Sequence, residues 1–283
     1  MKERVEEIRW YAEKRLGMIK ENIEESASIR HTILRVDLRR KSAQPFMDEV
    51  VLESRVSLYI NGYHYSVMTV TPLEIRELAI GHLMADGLID KLDDILELKI
   101  SKGRVDVQLS KEPPIGKTRI ISTECGSGER KMSPRIWMKI KKQSSSVRFA
   151  SQAIIEAIKN LNSSAETYRK TGGTHAAALM DGQGCILAVS EDISRHNAVD
   201  KVIGKAVLQG LDFKETFLTS SGRITSDIVI KAANVGIPVI VSISAPTDKG
   251  IKLANMMGLT LIGFARGKRF NIYAHPERII TDF

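Results

Sequence analysis

The chain has 283 residues, 43% of them hydrophobic, which is room for one large domain or two modest ones around a real core. Its formal net charge of +8 and sequence pI of about 9.4 suit anionic ligands. Only 5% of residues are aromatic and no stacking module or groove-reading motif is present, so a phosphorylated small molecule is better supported than a nucleic acid. No run approaches the roughly 18 apolar residues of a membrane span. Met1-Lys2-Glu3-Arg4 leads into charged residues rather than an apolar signal segment, and a cytoplasmic protein is expected. Two cysteines, Cys125 and Cys185, make neither a disulfide framework nor a C-x-x-C motif.

Residues 1–27 are charge-rich, with Ile8, Tyr11, Leu16 and Ile19 roughly on one stripe, and predict an amphipathic helical extension. Residues 28–128 change to the strand period and predict a β-rich subdomain. Asn61-Gly62 marks a hairpin between Val56–Ile60 and Tyr63–Val70. Thr71-Pro72-Leu73-Glu74 has the form of a capping box opening a helix that Gly87 ends. Lys102-Gly103 joins a second hairpin, and a strand then delivers Cys125. Residues 129–150 are polar and basic and predict a linker.

Residues 151–283 alternate helix and strand. A helix from Ser151 precedes a hairpin, His175–Met180 with Cys185–Ser190, in which Cys185 is expected to be buried. A helix from about Asn197, with Asn197 as its cap, ends at Gly210. Strands Thr216–Ser220, Pro238–Ser242 and Leu259–Phe264 alternate with helices that stop at Gly236 and Gly258. A last strand, Phe270–Tyr273, closes an α/β layered sheet.

Ligands in such sheets collect where strands end and helices begin. The strand ends here run into Ser221-Gly222-Arg223, into Ser244-Ala245-Pro246-Thr247, and into Phe264 followed by Ala265-Arg266-Gly267-Lys268-Arg269. Helix starts and arginines attract phosphate. Thr171-Gly172-Gly173-Thr174-His175 suits either a tight turn or close approach of a ligand. Arg195 and His196, at the head of a helix, are free to face a site. The six histidines show no pairing at metal-ligand spacing and no G-x-S-x-G elbow is present, so neither a metal site nor a serine hydrolase is expected. Cys125 sits in Glu124-Cys125-Gly126-Ser127-Gly128, close to Arg130 and Lys131, where cations favour a reactive thiolate and Glu124 opposes it.

Several long segments, in order, carry a family resemblance: Thr171–Leu179, Arg195–Lys201, Gly236–Ser242, Ser244–Thr247 and Gly263–Phe270. The chain resembles the formate dehydrogenase accessory sulfurtransferase family, often called FdhD, over most of its length beyond the first residues. The resemblance implies a C-terminal domain similar to cytidine deaminases beside the smaller β-rich subdomain. His175-Ala176-Ala177 lacks the glutamate of a zinc deaminase and the Ser242–Thr247 loop lacks its cysteines, so deamination is not expected.

The implied function is sulfur delivery. Cys125 would carry sulfur as a persulfide from a cysteine desulfurase to the molybdenum or tungsten bis-pterin guanine dinucleotide cofactor, for a formate dehydrogenase client. Phe264, Ala265, Arg266, Gly267, Lys268 and Arg269 match the family's cofactor-binding stretch, and Arg195, His196, Arg223 and Thr247 would line the same pocket. The family commonly has a second loop cysteine where this chain has Gly128, so a two-cysteine relay within the loop is excluded. The alternative is a chaperone that holds the cofactor without moving sulfur. A homodimer, sharing two thiol loops and two cofactor sites, is a further expectation.

Overall fold

The computed structural model describes residues 26–112, the backbone of 121–122, and residues 146–281. The expected N-terminal helix, Cys125 and most of the basic segment lie outside the described residues.

Strands β1 (Ser28–Asp37) and β2 (Ser42–Val51) pair along their full length as a two-stranded arm, separate from the other sheets. Its outer half exposes Leu34, Val36 and Met47. Next come β3 (Ser54–Ile60), β4 (Tyr63–Val70), helix α1 (Ile75–Ala85), β5 (Ile95–Ser101), β6 (Arg104–Leu109) and β7 (Ile121–Ser122). These strands form a five-stranded sheet in the order β5-β6-β3-β4-β7. The β3–β4 turn is the expected Asn61-Gly62, with φ of 50° and 81°, the left-handed pair that matches strand twist. One face of the sheet packs Leu58, Met68, Leu98 and Val107 against Leu78 and Leu83 of α1.

The capping box does not form. Glu74 has φ 58° and α1 starts at Ile75, because Thr71 is drawn elsewhere: its Oγ1 accepts the Ile193 N–H at 3.2 Å.

The second half runs β8 (Phe149–Ala150), α2 (Ser151–Ser164), α3 (Glu166–Thr171), β9 (His175–Met180), β10 (Ile186–Asp192) and α4 (Arg195–Leu208). It continues with β11 (Phe217–Ser220), α5 (Ser226–Val235), β12 (Val239–Ser242), α6 (Asp248–Met257), β13 (Thr260–Arg266), β14 (Arg269–Ala274) and β15 (Ile279–Ile280). A six-stranded sheet in the order β10-β9-β11-β12-β13-β14 is the centre of this half. Strands β11, β12 and β13 are parallel, linked by α5 and α6, while β9 and β14 run antiparallel to their neighbours. Side chains alternate between layers, as the pleat requires. Leu218, Ile240 and Leu261 face α4, α5 and α6, whereas Phe217, Val239 and Ile262 face α2. Both faces are covered, which is why β12 opens on the apolar run Val239-Ile240-Val241 and every residue of β11 is buried.

Two expectations need correction. Helix α4 starts at Arg195, so Asn197 lies inside its first turn and caps nothing. Cys185 is exposed. Strand β10 begins one residue later, and Cys185 sits in the turn with its N–H on Asp181 Oδ1 at 2.8 Å.

Candidate functional site

The parallel strands β11, β12 and β13 end at the same edge, and β9, running the other way, begins there. Adjacent strands lie about 4.8 Å apart, so the four termini span about 14 Å, a length suited to a nucleotide. The loops are tied to one another. Gly222 N–H donates to Ser220 Oγ (3.1 Å), Ser242 Oγ–H donates to the Gly222 carbonyl (2.6 Å), and Ser244 N–H donates to Ser242 Oγ (2.9 Å). Ile224 N–H reaches Ala245 O (3.1 Å) and Thr247 N–H reaches Ile224 O (2.9 Å). Thr247 has its hydroxyl committed to capping α6, where it accepts the Gly250 N–H at 3.1 Å.

The Phe264–Arg269 segment forms the closed end of the β13–β14 hairpin. Arg266 pairs with Arg269 around Gly267-Lys268, and Gly267 takes φ 60°. The register slips between Gly263 and Arg266. At that slip Phe264 adopts φ 52°, a strained conformation for an aromatic residue, fixed by its N–H on Ser244 O at 3.0 Å. Gly263 allows the contact, since a Cβ there would stand 2.7 Å from Pro246 Cδ. The segment divides by exposure: Ala265 is fully buried among the α2-side core, Phe264 is half-buried, and Arg266, Gly267, Lys268 and Arg269 are exposed. The Arg266 guanidinium lies 5.9 Å from the Phe264 ring centroid.

At the other end of the edge, the Arg195 stem packs on the β11 loop. A Cβ on Gly222 would meet Arg195 Cβ at 2.6 Å. His196 Nε2 lies 3.4 Å from Thr225 Oγ1, and Arg223 is exposed. His175, at the start of β9, was not among the expected cofactor residues, yet it stands in this corner. Its Nδ1 lies 3.2 Å from Ser221 Oγ, which also accepts the Ala176 N–H at 3.0 Å. Burial lowers the His175 pKa and the Arg195 charge adds to that; Asp192 opposes, and Arg223 lowers it again.

Residues 51–280 match the family model described as the FdhD/NarQ family. The chain belongs to the FdhD/NarQ family. It is 40% identical over 247 residues to a protein named sulfur carrier protein FdhD from Methanothermobacter thermautotrophicus, covering 87% of this chain and 96% of that one. A protein of the same name from Staphylococcus aureus is 37% identical over 239 residues, 82% of this chain and 90% of its own. A crystal structure from Desulfotalea psychrophila, provisionally described as a formate dehydrogenase accessory protein, superposes with a TM-score of 0.74 at 26% identity, covering 90% of this chain and all of that one.

The FdhD/NarQ match takes in both the strand-end edge and the segment carrying Cys125, and it leaves out nearly all of the β1–β2 arm. The last described residue before Cys125 is Ser122, three positions earlier, on β7. That strand runs parallel to β4, with Val67 opposite Ser122. Strand β4 leads to Thr71, which is bonded to the entry of α4.

This FdhD/NarQ chain joins its two halves through buried ion pairs. Asp192 accepts from Thr71 N–H (3.1 Å), Ser194 N–H (2.8 Å) and Asn197 Nδ2 (3.0 Å), and pairs with Lys201 Nζ at 2.7 Å. Asn197 Nδ2 also reaches Thr69 O at 2.8 Å, and Lys201 Nζ reaches Thr71 O at 3.0 Å. One turn on, Asp200 holds Lys231 at 2.7 Å and His82 at 2.9 Å, and Asp86 lies 3.0 Å from Lys231. Arg195–Lys201 therefore splits by helical face. Arg195 and His196 reach the edge, while Asn197, Asp200 and Lys201 hold the halves together.

Proposed function

We propose that this chain is a sulfur carrier for a formate dehydrogenase. Cys125 takes sulfur as a persulfide from a cysteine desulfurase: the thiolate attacks the donor's outer sulfur, a new S–S bond forms, and the donor thiolate leaves. The outer sulfur would then pass, with two electrons from an external thiol reductant and with Cys125 released as its thiolate, to a molybdenum or tungsten bis-pterin guanine dinucleotide cofactor, which is bound as a substrate rather than as a resident group. The work is placed in the cytoplasm. Among the described residues no helix is long and apolar enough to cross a membrane.

The observation that carries this reading is the strand-end edge. Backbone turns and exposed cations meet at this edge: Arg223 follows β11, the Arg195 stem lies on that loop, and Arg266, Lys268 and Arg269 stand exposed at the turn from β13 to β14. Such an array suits a chain of phosphates, with guanidinium forks supplying paired hydrogen bonds. The names of the relatives supply the sulfur. Phe264 offers a ring face where a base can stack.

The test uses formate dehydrogenase matured in cells whose own carrier gene is deleted. Wild-type chain is expected to restore activity, and Cys125→Ala to fail while still binding GDP. Arg266→Ala combined with Lys268→Ala is expected to weaken GDP binding by about tenfold or more at low salt, and less at high salt. Full activation by Cys125→Ala would contradict sulfur transfer and leave the holding chaperone.

A further inference from the structure

We infer that His175, oriented by Ser221 and flanked by Arg195 and Arg223, forms an oxyanion subsite that takes a phosphate through its Nε2–H. The subsite deepens the cofactor reading above and rests on it, giving the strand-end edge a neutral hydrogen-bond donor among its cations.

The local geometry fixes the ring. Ser221 Oγ accepts the Ala176 N–H at 3.0 Å, while Ser221 N–H donates to Ala176 O at 2.9 Å. This pins Ser221 to the start of β9, one residue from His175. The subsite takes the Ser221 hydroxyl as the donor across its 3.2 Å contact with His175 Nδ1, the roles of the two atoms being set by the tautomer of the ring. An Nδ1 that accepts leaves the remaining ring proton on Nε2. Gly222 sets the distance to the cations: with only hydrogen there, the Arg195 stem lies on the loop between Ser221 and Arg223. The groups that act on the ring are Arg195 from α4, Arg223 after β11 and Asp192 at the end of β10. Asp192 is itself held by Lys201 at 2.7 Å.

Burial, and then the Arg195 and Arg223 guanidiniums, disfavour a positive charge on the imidazole and hold the His175 pKa below the ordinary histidine value. An arriving phosphate cancels that repulsion. It accepts from Nε2–H and makes protonation of the ring easier, so binding and proton uptake are linked. Ser221 is a positioning residue in this arrangement. Its hydroxyl proton points to Nδ1 and its oxygen accepts from the backbone, so it presents no nucleophile to the site.

The experiment follows the His175 imidazole by NMR in the full-length protein during titration with inorganic pyrophosphate, and measures pyrophosphate and GDP affinity by calorimetry. The ring is expected to titrate below the ordinary histidine value, and its midpoint to rise when pyrophosphate binds. His175→Gln should bind pyrophosphate roughly tenfold more weakly, the loss of one hydrogen bond to a charged group. The wild-type advantage over His175→Gln should grow as pH falls from about 8 to about 6, and comparing the two proteins removes the ligand's own titration. Ser221→Ala, which frees the ring without deleting it, should lose part of the affinity. An unmoved midpoint, or a His175→Gln protein that binds pyrophosphate like wild type, would overturn the subsite. If GDP then still bound and weakened with Arg266→Ala, the cofactor edge would stand without it. Wild-type protein that binds neither ligand would overturn both.

Discussion

Asp200 surrenders its water on folding and regains partners in Lys231 and His82. Burial pushes its carboxyl up, and Lys231, then His82, more than reverse this, leaving it below the usual carboxylate range. Its contribution to stability is therefore complete above the unfolded value of about 3.9 and is lost as pH falls through the lower folded value. Asp200→Asn leaves Lys231 buried with Asp86 as its remaining carboxylate. We expect a loss of about 3–5 kcal/mol by urea unfolding at neutral pH, and a shallower acid limb than wild type. The same residues show why the site was half legible. Arg195–Lys201 was readable as a helix head, and its first two residues lie against the β11 loop, Arg195 on Gly222 and His196 beside Thr225. The role of Asp200 and Lys201 was not readable, because His82 and Thr71 lie 118 and 130 residues away in sequence. His175 was visible in its glycine-bearing turn, but its partner Ser221 is 46 residues off.

Helices α1 and α4 cross where both carry glycine. A Cβ on Gly81 would stand 1.7 Å from Asp200 O, and one on Gly204 would stand 1.9 Å from Glu77 O. The helix backbones meet directly, and that proximity brings His82 to Asp200. Gly81→Ala is expected to destabilise by about 3 kcal/mol or more, since backbone on both sides must move. Gly182→Ala, where nothing lies within 4 Å, should stay within about 0.5 kcal/mol in the same unfolding assay. Element order was largely readable, because glycines at helix ends are local signals: Gly236 and Gly258 stand at φ 88° and 71° after α5 and α6. The Thr71–Glu74 capping box failed because of a long-range partner, the Ile193 contact.

Across the whole molecule, the α1–α4 crossing makes one body of a five-stranded and a six-stranded sheet. The segment that carries the thiol leaves the first, and the cationic strand ends belong to the second. The layered sheet was legible because its strands are apolar on both faces and its helices stop at glycine. The β1–β2 arm falls within the strand-period region of residues 28–128, but its standing as a separate sheet was not legible, since pairing partners are not encoded in the strand period. The claim that ties the molecule together is that Cys125 carries the sulfur. Its most direct test is intact-protein mass after incubation with a cysteine desulfurase and cysteine. We predict a gain of one sulfur atom that maps to Cys125, vanishes on reduction, and is absent in Cys125→Ala. No gain, under conditions where the Methanothermobacter thermautotrophicus relative loads normally, would contradict it.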